Sequence, residues 1–516
     1  MKKTGGYAIL ITMKTGAVIF IVAVLLISGG CNIDGDSEPL NPVIQSISPD
    51  ARALSLPAFT LTVHGENFRE GAEIVFNYIR KTTERVSDKK LRCRIYTNDL
   101  VRNTLRDSSS QRTSIDNLVR TVPVYVVNYV SGGRDSAKSD TVDFSVLEHP
   151  RFNDPVNISQ TTLDGTFPMI AVDDQDIIHV IWKDMSDGEW NVYYRRSTDF
   201  GETWSDIQIL TYGYNSLCCP ELAVSGGGNV YVVYSASGFD DKFDIFLRRS
   251  RDNGVTWENV TMISEPGYSS YVPDIAANNY GKVAVVWHES IKSNRSDIFL
   301  SRSHDYGDTW SEPVNVSDNI GPSDSAVVAV HAEGNIFTAW KDYRPGQWDI
   351  FFRCYQYGAS TWGEIINLSS DDLHSVRPVI ACDYHGQVYV AWFDLGALDR
   401  EIYFTRSWNQ GQNWTGVINI SNDSWLSSEP ALAVDDSGNI NVVWTNYGFG
   451  TNRQEIVYSR SVYGSYPWCE GITVSAGVNA RMPDYADIAV DKEGNIYLVW
   501  QQWLSDKHQV MFTTSR

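Results

Sequence analysis

Between Pro155 and Arg516, apolar and polar residues alternate in short runs, and the pattern of runs returns roughly every 52 residues. Each unit contains three such runs. The first run includes a repeated Ala, the second run ends near a Trp or Tyr, and the third run ends at or near a Ser. Alternation with a period of two, bounded by Gly and Asn, predicts antiparallel strands. The period fits a propeller blade with long loops. The repeated alanines are Ala171, Ala223, Ala276, Ala329, Ala381, Ala433 and Ala489.

A fourth strand follows each of the first six units, whereas the seventh unit ends at Arg516 without one. A matching segment, PVNIS at Pro155–Ser159, stands unpaired before the first unit. If this segment completes the last blade, the ring closes and no strand edge of the array stays open. We therefore predict an all-β protein in which residues 155–516 form a seven-bladed β-propeller, with a small sandwich before it.

The segment STDFGETWS, at Ser197–Ser205, joins the third and fourth strands of the first unit and recurs in later units. A catalytic site is needed once, whereas a turn is needed in every hairpin. Weaker copies carry Tyr357, Asn409 and Tyr463 in place of Asp, which a turn tolerates. We interpret the segment as a turn in which Ser and Asp accept backbone N–H bonds, Gly supplies positive φ and Trp packs on the sheet. The full copies are Ser197, Asp199, Gly201 and Trp204; Ser250, Asp252, Gly254 and Trp257; and Ser303, Asp305, Gly307 and Trp310.

These residues resemble the Asp-box, or bacterial neuraminidase repeat, of sialidases and many other propellers, and the resemblance covers Pro155–Arg516. It implies that the Asp boxes lie on the face opposite the active site. Sialidases also carry an Arg just before the first blade, in a (F/Y)RIP motif that binds the sugar carboxylate. Here the corresponding stretch is TFPMIAVD, beginning at Thr166, and it contains no Arg. This departure argues against sialidase activity.

Residues 41–148 form a separate strand-rich region before the propeller. Ile47, Ser48 and Pro49, the group Gly65, Asn67, Phe68 and Gly71, and the closing VYVVNYVSGG…FSV resemble the IPT/TIG family of immunoglobulin-like modules. The resemblance implies a small antiparallel sandwich that serves as a spacer or a binding platform. The stretch from Ile95 to Arg120 has no counterpart in that pattern, and we interpret it as an insertion.

The first 30 residues have the pattern of a signal peptide. Lys2, Lys3 and Lys14 precede an apolar run from Ala17 to Ile27, and small residues then lead to Cys31. The stretch LLISGGC resembles a bacterial lipobox, in which the Cys is lipidated, although Ser28 stands where Leu is usual. The alternatives are an ordinary signal peptide and an uncleaved anchor helix. Each of them places the rest of the chain outside the cytoplasm, with residues 31–40 as a polar tether.

Composition narrows the choice of partner and cofactor. The 42 Lys and Arg residues against 63 Asp and Glu residues give a net charge of −21, which argues against a nucleic-acid partner. The cysteines form no Cys-x-x-Cys pair or Cys/His cluster, so we predict neither a metal site nor a cofactor. Adjacent Cys218 and Cys219 either form a vicinal disulfide or are two small loop residues.

The candidate binding residues lie on the face opposite the Asp boxes. Two positions after the second-strand Trp, a ring of mostly acidic residues recurs in six blades, and we interpret it first as structural and alternatively as a ligand or cation site. Arg residues of the inter-blade loops and Trp residues of the upper loops offer contacts to sugar acids and sugar rings. The candidates are Asp184, Glu289, Asp342 and Asp394, with Asn446 and Gln501 completing the ring, together with Arg377, Arg481, Trp348 and Trp425.

Two functions remain open from the sequence. The near-uniform blades and the missing Arg favour a non-catalytic surface protein that binds a glycan or an extracellular protein. The alternative is a glycoside hydrolase, similar to exo-sialidases, with a rearranged active site.

Overall fold

The computed structural model describes the strands between Val43 and Leu147 and most of residues 152–516. Within 152–516 it leaves out 215, 238–241, 293–294, 320, 371–372, 397–399, 422–424, 449–452, 462–467, 470, 476–480 and 505. The chain divides into two compact units, Met1–Arg151 and Phe152–Arg516. The regular elements of the described ranges are all strands, and these ranges contain no apolar helix of membrane-spanning length. The predicted signal peptide, the tether and Cys31 lie outside the described residues.

The first unit contains two antiparallel sheets. Its strands are β1 (Val43–Pro49), β2 (Ala58–Glu66), β3 (Glu73–Phe76), β4 (Ile79–Arg80), β5 (Thr83–Ser87), β6 (Lys90–Tyr96), β7 (Val119–Val130), β8 (Arg134–Lys138) and β9 (Val142–Leu147). One sheet has the order β1-β2-β6-β5, and the other has the order β4-β3-β7-β8 with β9 also on β7. Most of the predicted insertion, residues 97–118, lies outside the described residues, and the IPT/TIG resemblance stays a prediction.

The second unit is a seven-bladed β-propeller, as predicted, and each blade is an antiparallel sheet. Blade 1 contains β11 (Gly165–Val172), β12 (Ile178–Asp184), β13 (Asn191–Ser197) and β14 (Gln208–Ile209), and blade 2 contains β15 (Ser216–Ser225), β16 (Asn229–Ser237), β17 (Phe243–Ser250) and β18 (Thr261–Met262). Blade 3 contains β19 (Ser269–Ala277), β20 (Val283–Lys292), β21 (Arg295–Ser303) and β22 (Val314–Asn315). Blade 4 contains β23 (Ser323–Val330), β24 (Ile336–Asp342), β25 (Asp349–Gln356), β26 (Thr361–Trp362) and β27 (Ile366–Asn367).

Blade 5 contains β28 (His374–Cys382), β29 (Val388–Leu395), β30 (Arg400–Ser407) and β31 (Ile418–Asn419). Blade 6 contains β32 (Leu426–Val434), β33 (Ile440–Tyr447), β34 (Gln454–Ser461) and β35 (Ile472–Thr473). Blade 7 contains β36 (Arg481–Val490), β37 (Ile496–Leu504) and β38 (Lys507–Thr514), together with β10 (Val156–Asn157). In blade 7 the order is β10-β38-β37-β36, so the outer strand comes from the start of the unit. Val156 pairs with Phe512, and Ser159 Oγ accepts the Val510 N–H at 2.9 Å. The predicted closure of the ring by Pro155–Ser159 is confirmed.

The core lies between neighbouring blades. The second strand of six blades carries a buried Trp: Trp182, Trp287, Trp340, Trp392, Trp444 and Trp500. Trp182 of blade 1, for example, shares a cluster with Tyr497 and Val499 of blade 7. Because each blade buries one face against the next, the hydrophobic contacts continue around the ring and across its closure.

The Asp-box turns form the hydrogen bonds predicted for them. In blade 1, Ser197 Oγ accepts the Gly201 N–H at 2.8 Å and donates to Asp199 Oδ1 at 2.8 Å. Asp199 Oδ1 also accepts the Thr203 N–H at 2.8 Å. In blade 5 the amide oxygen of Asn409 accepts the equivalent Asn413 N–H at 2.9 Å, so an uncharged acceptor replaces the Asp in that turn.

The Asp-box Trp packs on the preceding blade. The Trp204 ring lies 5.0 Å from Phe512 of blade 7, and Trp257 lies 5.0 Å from Tyr194 of blade 1. These edge-to-face pairs join neighbouring blades at the Asp-box face. The Asp-box residues are therefore engaged in turns and blade contacts.

Candidate functional site

Every innermost strand is interrupted by a bulge four residues before the repeated Ala. The pairing with the second strand shifts there in all seven blades. One non-Gly residue at each bulge has φ between 48 and 53°: Phe167, Cys219, Val272, Ser325, Arg377, Glu429 and Tyr485. A bulge residue leaves the alternation of its strand, so its side chain points in a new direction. We call these seven residues the mouth ring.

The mouth-ring side chains are at least partly exposed, whereas the residue after each one is buried. Because they lie at the start of the innermost strands, they surround the opening of the central channel at the end opposite the Asp boxes. The positive φ costs about 1 to 2 kcal/mol at each non-Gly residue. Since all seven blades carry the bulge, the backbone is architectural, and only the identity of each side chain is specific to its blade.

Arg377 reaches across this opening from blade 5. Its Nε lies 3.4 Å from Glu429 Oε2 of blade 6, and half of its side chain is exposed. Its guanidinium also lies 5.7 Å from the ring centre of Tyr485, in blade 7. The Tyr485 ring in turn contacts Phe167 of blade 1 at 4.7 Å. The mouth therefore combines an accessible guanidinium, a carboxylate and an aromatic pair within one cluster.

Two carboxyl groups at the mouth have raised pKa values. Burial raises the pKa of Glu429 in spite of the opposing charge of Arg377. Burial also raises the pKa of Asp484, although Tyr447 donates a hydrogen bond to its Oδ1 at 2.8 Å. Such carboxyl groups take up protons closer to neutral pH than exposed ones do, and titratable groups of this kind concentrate at functional sites.

Three more carboxyl groups lie deeper in the channel wall, two residues after the bulge. Asp274 of blade 3 accepts the Val328 N–H of blade 4 at 2.7 Å, and Asp487 of blade 7 accepts the Ile170 N–H of blade 1 at 2.8 Å. Burial raises the pKa of Asp274 to about 7 and that of Asp487 to about 6. Burial, together with the charges of Asp274 and Asp487, raises the pKa of Glu221 well above its usual range.

The predicted acidic ring lies inside the blades. Five of its six members accept the indole N–H of their own second-strand Trp, as in the bonds of Trp182 to Asp184 at 2.8 Å and of Trp340 to Asp342 at 2.9 Å. Glu289, Asp394 and Asn446 form the same bond, at 3.4, 3.0 and 2.7 Å. In blade 7 the acceptor is Gln502 and not Gln501, because the residue on the same strand face as Trp500 is two positions beyond it.

The Trp candidates, and further Arg residues at or near the loops between second and third strands, have partners other than Arg377. Arg295, Arg344 and Arg453 each pair with an acid of their own blade: Asp297, Asp342 and Glu455. Trp348 lies under Lys341 Nζ at 4.7 Å, and Trp425 lies 5.4 Å from the Arg453 guanidinium. Arg481 begins β36, and its side chain is outside the described part of the chain. No three-Arg cluster is found among the described side chains.

Sequence reasoning named Arg377 but missed Glu429, Asp484, Tyr485 and Phe167. The sequence does contain a motif that marks the mouth ring. Five blades carry X-Pro-x-x-Ala, in which X is the mouth-ring residue. The described residues contain no group of three or more His, Cys, Asp or Glu side chains arranged to hold a metal. Cys218 and Cys219 form a vicinal disulfide, which decides between the two alternatives left by the sequence.

Comparison with known proteins relates the propeller to one family of repeats. Residues 153–319 match the BNR repeat-like domain. A search of curated protein sequences finds no match. The matched residues cover the first three blades, and the four later blades repeat the same architecture.

Several solved structures resemble the propeller at low identity. An ulvan lyase of polysaccharide lyase family PL25 is 14% identical, with a TM-score of 0.47, over 69% of this chain and 95% of that one. The GH93 α-L-arabinofuranosidase of Fusarium graminearum is 14% identical, with a TM-score of 0.44, over 70% of this chain and 97% of that one. The Trypanosoma rangeli sialidase is 12% identical, with a TM-score of 0.40, over 70% of this chain and 56% of that one. None of these similarities assigns an activity to this chain.

Proposed function

We propose that the protein binds a saccharide at the mouth of the propeller channel. The observation that carries the proposal is the position of Arg377, which is half exposed and spans blades 5 to 7 between Glu429 and Tyr485. Guanidinium and carboxyl groups form paired hydrogen bonds with vicinal hydroxyls, and aromatic rings pack on the C–H face of a sugar. The mouth brings these three kinds of group together.

The electrostatics favour a neutral saccharide over an acidic one. The charge of Arg377 is opposed by Glu429, and Asp484, Glu221, Asp274 and Asp487 lie in or near the same opening. An added carboxylate would meet this group of acids, and the charges of Arg377 and Arg400 already act on Glu429. Hydroxyl groups avoid this cost because they both donate and accept hydrogen bonds.

The test is binding of neutral and uronate oligosaccharides, measured by isothermal titration calorimetry with the whole protein. We expect a neutral oligosaccharide to bind, and we expect Arg377→Gln to weaken binding at least about tenfold, which is about 1.4 kcal/mol. Arg453→Gln is the matched control, because it removes the same charge from a residue that pairs within blade 6. Equal affinities for the wild type and Arg377→Gln, or a preference for uronates, would overturn the proposal.

A second candidate function is cleavage of the bound saccharide. It is favoured by the raised pKa values of Glu429 and Asp484, since a protonated carboxyl group can act as a general acid near neutral pH. In that case, incubation with the same oligosaccharides releases new reducing ends or unsaturated products, and Asp484→Asn stops the release while the saccharide still binds. Binding without any product leaves the protein as a binding module.

We also propose that the protein acts outside the cytoplasm and is held on a membrane by a lipid at Cys31. The charged start, the apolar run and the small residues before Cys31 support this proposal. An extracellular protein partner is an alternative to the saccharide, and the negative charge of the chain disfavours nucleic acid.

A further inference from the structure

The vicinal disulfide Cys218–Cys219 lies at the bulge of blade 2. Cys219 has a φ of 53° and occupies the mouth-ring position that Arg377 occupies in blade 5. Both cysteines are partly exposed, whereas the next residue, Pro220, is buried. The disulfide is therefore part of the channel mouth and not of the inter-blade core.

The order of the mouth ring gives it two unlike halves. Blades 7, 1, 2 and 3 contribute Tyr485, Phe167, Cys219 and Val272, whereas blades 4, 5 and 6 contribute Ser325, Arg377 and Glu429. The disulfide lies within the first arc, whose mouth-ring residues carry no charge; the carboxyl groups of Glu221, Asp274 and Asp487 lie deeper in the same blades. In a closed ring of seven blades, blade 2 lies across the opening from blades 5 and 6, which carry Arg377 and Glu429.

This asymmetry matches the surface of a sugar ring. A pyranose or furanose has an apolar C–H face and a rim of hydroxyl groups, and the two arcs offer a complementary surface to each. A disulfide is polarizable, binds hydrogen-bond donors weakly and presents a fixed surface without competing polar groups. Its neighbours Phe167 and Val272 continue that surface on either side.

We propose that the Cys218–Cys219 disulfide is a sugar-stacking element of the mouth, and that its reduction lowers the affinity for the saccharide. This inference rests on the proposed function. In the reduction, a phosphine attacks the S–S bond and water then supplies the oxygen of the phosphine oxide and the two protons, so that one disulfide, one phosphine and one water give two thiols and one phosphine oxide. The thiols then rotate independently, and the fixed apolar surface of the arc is lost.

The experiment compares oxidised wild type, wild type reduced with tris(2-carboxyethyl)phosphine, and the variant Cys218→Ser/Cys219→Ser. The probes are cellotetraose, arabinotetraose and galactotetraose at millimolar concentration, followed by ligand-observed NMR and calorimetry. We expect reduction and the double variant each to weaken binding about five- to tenfold, the loss that an apolar contact of this size causes. Cys382→Ser is the matched control, because it changes a cysteine at the opposite end of the innermost strand of blade 5.

The outcomes separate this inference from the proposed function. Weaker binding after reduction, with Cys382→Ser unchanged, supports the stacking role. If Arg377→Gln weakens binding while the reduced protein and the double variant bind like the wild type, the stacking role is wrong and the saccharide site stands. If no probe binds to oxidised wild type, both fail. Thermal unfolding of each sample checks its folding, and the reduced wild type decides the result if the double variant does not fold.

Discussion

Replacing Gly254 with Ala should destabilise the propeller far more than an ordinary Gly→Ala change at a turn. Gly254 belongs to the Asp box of blade 2 and has a φ of 76°. A Cβ built on it would lie 1.7 Å from Tyr194 Oη and 2.5 Å from Tyr194 Cζ, in blade 1. Tyr194 cannot turn aside easily, because it is buried, bonds to His179 Nδ1 at 2.8 Å and packs against Trp257.

The magnitude follows from two separable costs. Positive φ costs an Ala about 1 kcal/mol relative to Gly. Overpacking against a fixed ring adds about 1 to 3 kcal/mol. The matched control is Gly188→Ala in the β12–β13 loop, where φ is 93° and no atom lies within 4 Å of the position that a Cβ would take. It carries the first cost alone, so the two variants should differ by about 2 kcal/mol.

The assay is thermal unfolding followed by circular dichroism, supported by urea unfolding. A difference of about 2 kcal/mol corresponds to a Tm about 2 to 3 °C lower for Gly254→Ala than for Gly188→Ala, because the unfolding entropy, about 2.1 cal/mol/K per residue, is summed over the whole unit Phe152–Arg516. The reasoning also requires that Gly254→Ala/Tyr194→Phe recover part of the loss, because the closest atom is then absent. Equal Tm values for the two single variants would show that the glycine serves only its turn and not the contact between blades.

Two further predictions concern the channel carboxyl groups and the N-terminus. Because burial raises the pKa of Asp274 to about 7 and of Asp487 to about 6, their stabilising effect is complete below about pH 4 and is lost as the pH rises to about 7. Burial lowers the pKa of His179, which changes Tm in the opposite direction between pH 5 and pH 8, so the test compares variants. Asp487→Asn should make Tm at pH 8 higher relative to Tm at pH 5 than it is in the wild type, and an unchanged pH dependence of Tm refutes the argument. Cys31→Ala should leave the precursor unprocessed or release the protein from membranes in cell fractionation, and unchanged, processed membrane-bound protein would contradict lipid anchoring.

The architecture could be predicted because it depends on repetition. Seven copies of one alternation define the strands, and a single unpaired PVNIS segment defines the closure. The Asp-box turn could be interpreted for the same reason, since Asn409 in one copy shows that an uncharged hydrogen-bond acceptor replaces the Asp there. A single short apolar run fits either a strand or a buried helix segment, whereas seven aligned copies of the pattern distinguish the two.

The mouth could not be predicted by the same argument. A bulge shifts the inward and outward alternation by one residue, so Glu429 and Tyr485 look like ordinary strand positions in the sequence. Glu429, Arg377 and Tyr485 come from three blades and are more than 50 residues apart along the chain. Their proximity is a property of the closed ring. The acidic ring could be interpreted from its repetition, because a position repeated in nearly every blade was expected to be structural, and its acids do bond to buried Trp residues.

The bulges separate the part of each blade that must stay constant from the part that is free to vary. In blades 1, 4 and 7 a side chain outside the mouth ring accepts the N–H of the bulge residue: Gln501 from Phe167 at 3.0 Å, Asp324 from Ser325 at 2.5 Å and Asp484 from Tyr485 at 2.9 Å. The backbone geometry is thus held whatever side chain the bulge carries. The seven blades use this freedom fully, since no two carry the same residue at the mouth ring. A nearly symmetric scaffold therefore presents an asymmetric opening, and differences in ligand among propellers of this kind should map to the residue before each Pro-x-x-Ala motif and not to the Asp boxes.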